Sequence, residues 1–196
     1  MLDYEKELYD SQINLIAGID EAGRGPLAGP VVVAIAIMPK DNLIEKVNDS
    51  KKLTEKVREK LFDEIINSAI DYHIEVVSEK VIDEINILNA TKLGMSNCIK
   101  NIKTKPDLVL IDAVKIESDI PTISIIHGDA LSYNIACASI LAKVTRDRLM
   151  VELDKKYPQF NLKKHKGYGT KEHIENLKKY GKCEIHRNSF IKNFVN

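Results

Sequence analysis

A chain of 196 residues has room for one sizeable domain, or for one domain with a small appendage. Hydrophobic residues at 44% and charged residues at 30% give an ordinary globular balance, which excludes a disordered chain; the longest apolar run, residues 31–38, is far too short to span a membrane. Net charge is zero but unevenly spread: residues 143–196 hold 14 Lys and Arg against 6 Asp and Glu, while residues 1–142 hold 15 against 23. An acidic front and a basic back fit a protein that gathers carboxylates at a metal site and clamps phosphates elsewhere. Chance distribution over solvated helix faces gives the same asymmetry. The first seven residues lack the basic start and apolar core of a signal peptide, so a cytoplasmic location is expected. Cys98, Cys137 and Cys183 are widely spaced and odd in number, which points to packing rather than to a zinc knuckle or a disulfide framework.

Residues 14–20 read as a first strand, followed by a glycine-rich turn over 23–29. Residues 30–38 read as a second strand, and the tight Gly/Pro connection predicts that the two are antiparallel. Thr54 reads as the N-cap of a helix on which Val57, Leu61, Ile65 and Ala69 share one face. Residues 72–78 alternate as a third strand, and 82–102 form a helical stretch weakened at Gly94. Leu108-Val109-Leu110-Ile111-Asp112 is apolar until its final acid. That is the pattern of a central strand buried on both faces, with its last residue at a functional edge.

A fifth strand is expected over 122–126. One long helix should then open at Asp129 and run to about Lys156, stopped by Pro158, with Ala136, Cys137, Ala138, Ser139 and Ala142 allowing close packing on the sheet. A basic loop, 163–169, leads to a helix capped by Thr170. No repeat or flexible linker interrupts the chain, so residues 157–196 are expected to dock as a C-terminal helical segment on a domain spanning 1–156. The element order is α/β, with a mixed five-stranded sheet flanked by helices.

Four acids fall at element ends, where side chains can converge: Asp20 and Glu21, Asp112, and Asp129. Hard divalent cations such as Mg²⁺ or Mn²⁺ want oxygen ligands, and two such ions can activate a water and stabilise the leaving oxygen of a phosphodiester. With no His or Cys cluster to compete, zinc is disfavoured. Each acid also has a bland reading, Asp129 as an N-cap and Asp112 as a turn residue. Adjacent acids on a strand point to opposite faces, so for Asp20 and Glu21 to share a site the backbone should turn there.

Gly18-Ile19-Asp20-Glu21-Ala22-Gly23-Arg24-Gly25-Pro26-Leu27-Ala28-Gly29-Pro30-Val31-Val32 resembles, nearly letter for letter, the opening signature of ribonuclease HII. Asp49-Ser50-Lys51-Lys52-Leu53, Leu110-Ile111-Asp112, Gly128-Asp129-Ala130, the stretch from Ala138 to Asp147, Gly167-Tyr168-Gly169-Thr170 and His186-Arg187-Asn188-Ser189-Phe190 follow in the family's order and near its spacing. The resemblance covers residues from about 15 to 190. It implies a ribonuclease H-like fold, a helical appendage over the substrate groove, and Mg²⁺ or Mn²⁺ as cofactor, two ions with substrate bound. By the same resemblance Asp20, Glu21, Asp112 and Asp129 are the four active-site carboxylates.

Telling ribose from deoxyribose requires contact with the 2′-hydroxyl. Gly23-Arg24-Gly25 suits this, because glycines expose backbone groups to close approach; the resemblance makes this turn, with Tyr168, the ribonucleotide sensor. As a bare pattern, a G-x-G turn usually only turns a corner, and a tyrosine flanked by glycines usually packs at a seam. Ser50, Lys51, Ser139, Lys143 and Arg146 are expected phosphate contacts, with Lys143 equally able to orient a carboxylate. Three positions depart from the family: His127 for a common Lys, Cys137 for a usual Ala, and Asn188 for a second basic residue.

The resemblance implies an endonuclease acting on RNA–DNA hybrids and on duplex DNA with embedded ribonucleotides; the tail 190–196 shows no clear clamp-binding motif, and a monomer is expected. It would cut on the 5′ side and leave 3′-hydroxyl and 5′-phosphate ends. Ribonuclease HIII shares the Asp-Glu signature but carries an extra N-terminal domain, for which the dozen residues before the first strand leave no room. A non-catalytic hybrid-binding module would gain by losing the four acids, which repel phosphate.

Overall fold

The computed structural model describes residues 2–11, 13–41, 43–47 and 50–195; Asp49 of the expected Asp-Ser-Lys motif lies outside them. In chain order the elements are helix α1 (Leu2–Asp10), strands β1 (Ile16–Ala22) and β2 (Val31–Ile37), helix α2 (Glu55–Ser68), strand β3 (Asp71–Val77), helix α3 (Glu79–Asn101), and strands β4 (Leu108–Asp112) and β5 (Thr122–Ile125). Helices α4 (Gly128–Leu131), α5 (Tyr133–Lys156), α6 (Leu162–His165), α7 (Lys171–Tyr180) and α8 (Asn188–Ile191) follow, with 3₁₀ turns at Ser50–Lys52 and Pro158–Phe160.

The strands form one mixed sheet in the order β3-β2-β1-β4-β5. Strand β1 pairs antiparallel with β2, and β2 with β3 across the connection that carries α2; β1 pairs parallel with β4, and β4 with β5 across the irregular stretch 113–121. Strand β2 is fully buried along its length, as its unbroken Val/Ala/Ile run dictates. On one face Ile19, Val33, Ile35, Val109 and Ile111 pack against Met95 and Cys98 of α3. On the other, Ala34, Ala36 and Met38 meet Cys137, Ala138, Leu141 and Ala142 of α5, with Leu61, Phe62 and Ile65 of α2 closing that layer. Cys137 is therefore a packing residue, as expected. Gly94 does not weaken α3: a Cβ there would sit 2.6 Å from Val33 Cγ2, so the missing side chain lets the helix lie against β2.

Three expectations are corrected. The helix expected over 82–102 begins earlier, at Glu79, capped by the Ser78 hydroxyl, and kinks at Asn86, whose φ is 66°. The single helix opening at Asp129 is two helices: Ser132 adopts extended φ/ψ, accepts from the Ile135 N–H and caps α5, which leaves Asp129 inside the short α4. Helix α1, not anticipated, explains the break. Its buried Glu5 accepts from the Ser132 hydroxyl, the Asn134 backbone N–H at 3.0 Å and Asn134 Nδ2 at 3.1 Å, so a carboxylate sits at the positive end of α5.

The C-terminal residues pack against the loop after β1 and against α5. Phe160, Leu162, Leu177, Ile185 and Ile191 share a core with Leu27, Ala28 and Met150. Backbone bonds reinforce it, from Leu27 N–H to Gly167 O at 2.8 Å, from Gly29 N–H to Ile185 O at 2.8 Å and from Arg187 N–H to Leu27 O at 2.9 Å. Asn188 takes a structural role in place of a charge: its backbone and side-chain N–H groups both donate to Asp83, which fixes the start of α8 to α3.

Candidate active site

Asp20 and Glu21 lie in continuous strand. Strand β1 stays paired with β2 through Ala22, and the turn comes only at Gly23. The expected turn at the two acids is thus absent, and their side chains leave opposite faces of the strand. They still line one cleft, of about 230 Å³, because β4 pairs with β1 only as far as Ile19–Ile111, and the acids project past that pairing at the end of the sheet. Asp112, the last residue of β4, joins them, and the chain then leaves through Ala113 at φ 50°. Asp112 Oδ1 accepts the Gly128 N–H at 2.7 Å, which ties the end of β4 to the start of α4. From α4, the 4%-exposed Asp129 meets Lys51 Nζ at 3.1 Å.

Burial and mutual repulsion set the electrostatics. Burial, then the neighbouring Glu21 and Asp112, push the Asp20 carboxyl well above the usual carboxylate range, against a hydrogen bond from the Ser139 hydroxyl. Glu21 is raised by burial and by Asp112, with Arg24 and Lys51 opposing. Asp112 is raised by burial and Asp129, against the Gly128 N–H and Lys51. Arg24 Nη1 reaches Glu21 Oε1 at 3.3 Å, while among the described residues the buried Glu21 Oε2 has no hydrogen-bond partner.

Such a donor set, all hard oxygen, with one buried oxygen unpartnered and three acids reluctant to ionise, fits a divalent cation. Among the described residues no three acidic, His or Cys side chains converge closely enough to enclose an ion by themselves.

The remaining expected residues divide. Gly23, Arg24, Gly25, Ser50, Lys51, Ser139, Lys143 and Tyr168 all line the cleft with the acids. Ser50 and Ser139 are nevertheless buried, and their hydroxyls bond each other at 2.9 Å; with its bond to Asp20, Ser139 serves the carboxylate rather than a phosphate. Lys143 Nζ is gripped by both Asp147 oxygens, at 2.5 and 2.6 Å, and burial lowers its pKa in spite of that partner. His127, exposed and left-handed at φ 58°, stands beside Asp112 and lowers its pKa when charged. Tyr168 keeps 44% of its surface exposed, and its loop is fixed by the Tyr168 carbonyl, which bonds Thr170 N–H and His173 Nδ1 at 2.8 and 2.9 Å.

Arg146 is the expectation that fails. Only 1% exposed, it donates to the carbonyls of Pro30 (3.0 Å), Lys166 (3.0 Å) and Ala28 (3.2 Å), and no donor reaches the cleft. Its place on α5 accounts for this, since Ala138, Ala142, Arg146 and Met150 recur every four residues along a buried stripe. A Cβ on Gly23 would fall 1.9 Å from Arg146 Nε, so a glycine at φ 97° is what lets the turn rest on that guanidinium. Arg187, not anticipated at all, is fully buried and donates to Gly29 O (2.9 Å), Arg24 O (2.9 Å) and Gly23 O (2.7 Å).

Known proteins are similar to this chain in sequence and fold. The family model described as Ribonuclease HII matches residues 17–193. A ribonuclease HII from Acetivibrio thermocellus is 60% identical over 196 residues, all of this chain and 77% of its own length. Another, from Caldicellulosiruptor bescii, is 58% identical over 194 residues, 98% of this chain and 94% of its own. Among solved structures, the ribonuclease H2 of Pyrococcus horikoshii OT3 superposes with a TM-score of 0.77 at 31% identity, covering 89% of this chain and 93% of that one.

Proposed function

Because the chain belongs to the ribonuclease HII family, and so is a nuclease of the ribonuclease H kind, we propose that it hydrolyses the RNA strand of RNA–DNA hybrids and cuts on the 5′ side of ribonucleotides embedded in duplex DNA. The products are 3′-hydroxyl and 5′-phosphate ends. One observation carries the reading: the acid cluster at the strand ends and the Gly23–Gly25 turn with Tyr168 line a single cleft.

In this mechanism Asp20, Glu21 and Asp112 would hold Mg²⁺ or Mn²⁺, two ions with substrate bound, and Asp129 would complete the set. Bound there, such ions would supply charge neutralisation and Lewis-acid activation of water. The protein's own groups do the rest. The Ser139 hydroxyl and Glu21 N–H fix the Asp20 carboxylate, and the Gly128 N–H fixes Asp112. Arg24 pairs with Glu21 and, with its exposed side chain on the cleft, would reach a substrate phosphate. Lys143, held by Asp147, lends positive charge to the cleft wall. Tyr168 offers its exposed ring as a stacking face for a sugar or base. The protein acts as a cytoplasmic monomer with residues 157–196 clamping the duplex, and among the described residues no helix is long and apolar enough to cross a membrane.

A labelled duplex with a single ribonucleotide tests the reading. Cleavage one bond 5′ of the ribonucleotide, dependent on Mg²⁺ or Mn²⁺, is the expected result; no cleavage with either metal would overturn it.

A further inference from the structure

Two arginines lie fully buried beneath the Gly23–Gly25 turn, and among the described residues neither forms an ion pair. Taking a guanidinium out of water is costly, and carbonyl oxygens compensate it less well than a carboxylate does. Arg146 grips the later part of the loop, at Ala28 and Pro30. Arg187 grips the turn itself, with Nη2 on Gly23 O at 2.7 Å and Nη1 on Arg24 O at 2.9 Å. Consecutive carbonyls held to one side by one rigid fork are a strong constraint, because in a trans peptide the N–H points opposite to the C=O. With the Gly23 and Arg24 carbonyls turned inward, the N–H groups of Arg24 and Gly25 must face the other way. That way lies the cleft, which both residues line and where both are exposed. Two neighbouring N–H groups on one side form a small concavity for an oxygen atom.

We propose that Arg187 is a positioning residue for ribonucleotide selection: its fork turns the Arg24 and Gly25 N–H groups into the cleft as a paired donor for the 2′-hydroxyl oxygen. The inference rests on the reading of Gly23–Gly25 as the ribose sensor. Arg187 itself touches no substrate and acts only through the peptide planes that it orients. Lysine in its place keeps the charge but has no planar fork to hold two carbonyls at a fixed angle.

Binding is measured in Ca²⁺, to hold back turnover, on a duplex with one ribonucleotide and on the same duplex in all-deoxy form. Arg187→Lys should lower the affinity ratio of the two by about tenfold, the worth of a charge-assisted hydrogen bond, with affinity for the all-deoxy duplex nearly unchanged. In Arg187→Ala, added ethylguanidinium should restore the ratio. A folded Arg187→Lys protein with an unchanged ratio overturns the proposal, and so does equal loss on both duplexes, which marks a merely structural role. Should neither variant fold, amide exchange on the wild-type protein decides: the ribonucleotide duplex, and not the all-deoxy one, should protect the Arg24 and Gly25 N–H groups. Equal protection by both duplexes overturns it. A wild-type ratio of one would instead sink the ribose-sensor reading on which the proposal rests.

Discussion

The acid cluster and the glycine turn are neighbours in the cleft and opposites in construction. In the first, Asp20, Glu21 and Asp112 line one cleft with their carboxyls raised, and among the described residues one Glu21 oxygen has no hydrogen-bond partner. In the second, two buried guanidiniums direct six donors at carbonyl oxygens, from Gly23, Arg24, Ala28, Gly29, Pro30 and Lys166. The region assigned to chemistry is left incomplete, and the region assigned to recognition is held on every side. A site that awaits cations gains from unsatisfied oxygens, whereas a site that discriminates by one hydroxyl gains from donors that cannot move.

The contrast can be broken by mutation, and the largest effect belongs to the acids. Asp112→Asn should lower the cleavage rate on the single-ribonucleotide duplex by about a thousandfold or more while circular dichroism stays unchanged. Substantial retained activity would remove Asp112 from the site. On the recognition side the loss should appear first as stability: Arg187→Ala orphans three buried carbonyls, a cost of about 3 kcal/mol or more read by urea denaturation. A change under about 1 kcal/mol would mean that the turn does not depend on its guanidinium. Tyr168→Ala should weaken binding to ribonucleotide junctions about tenfold through lost stacking, with little change in stability for a side chain so exposed. Equal losses on every duplex would deny it a junction-sensing role.

The smallest effect has the opposite sign. Asp20→Asn should raise the melting temperature in EDTA by about 2–4 °C at pH 8. The Asp20 pKa in the folded chain lies above its unfolded value, so ionisation destabilises the fold. That penalty is absent below the unfolded pKa and grows as pH rises through the folded one, so the advantage of the variant should shrink toward pH 5. An advantage equal at both pH values would show that Asp20 bears no such strain.

Much of this contrast was legible in the sequence, and its limits have physical causes. The five strands and their mixed order followed from hydrophobic periodicity and turn residues, and Asp112 at the end of an apolar run marked the edge where the cleft lies. The acids stood out at element ends, but by pattern alone they kept bland readings, and it was the family resemblance that gathered them into one site. Buried arginines are harder to see, since a basic residue in a basic region reads as solvated by default. For Arg146 a signal existed, its place in the stripe with Ala138, Ala142 and Met150. For Arg187 the only mark was its place in the family-like stretch 186–190, which gave it no role, because the carbonyls that hold it come from the far end of the chain. The break before Ser132 was hidden for the same reason, since it depends on Glu5 and on a helix with little apolar content.

The bond from Arg187 Nη2 to Gly23 O joins residues 164 apart in sequence. A chain growing from its N-terminus has every acid of the cleft in place well before residue 187 is made. The turn must wait, its carbonyls unheld, until residue 187 has left the ribosome, so in the nascent chain the glycine turn is fixed only after the acids beside it have been made.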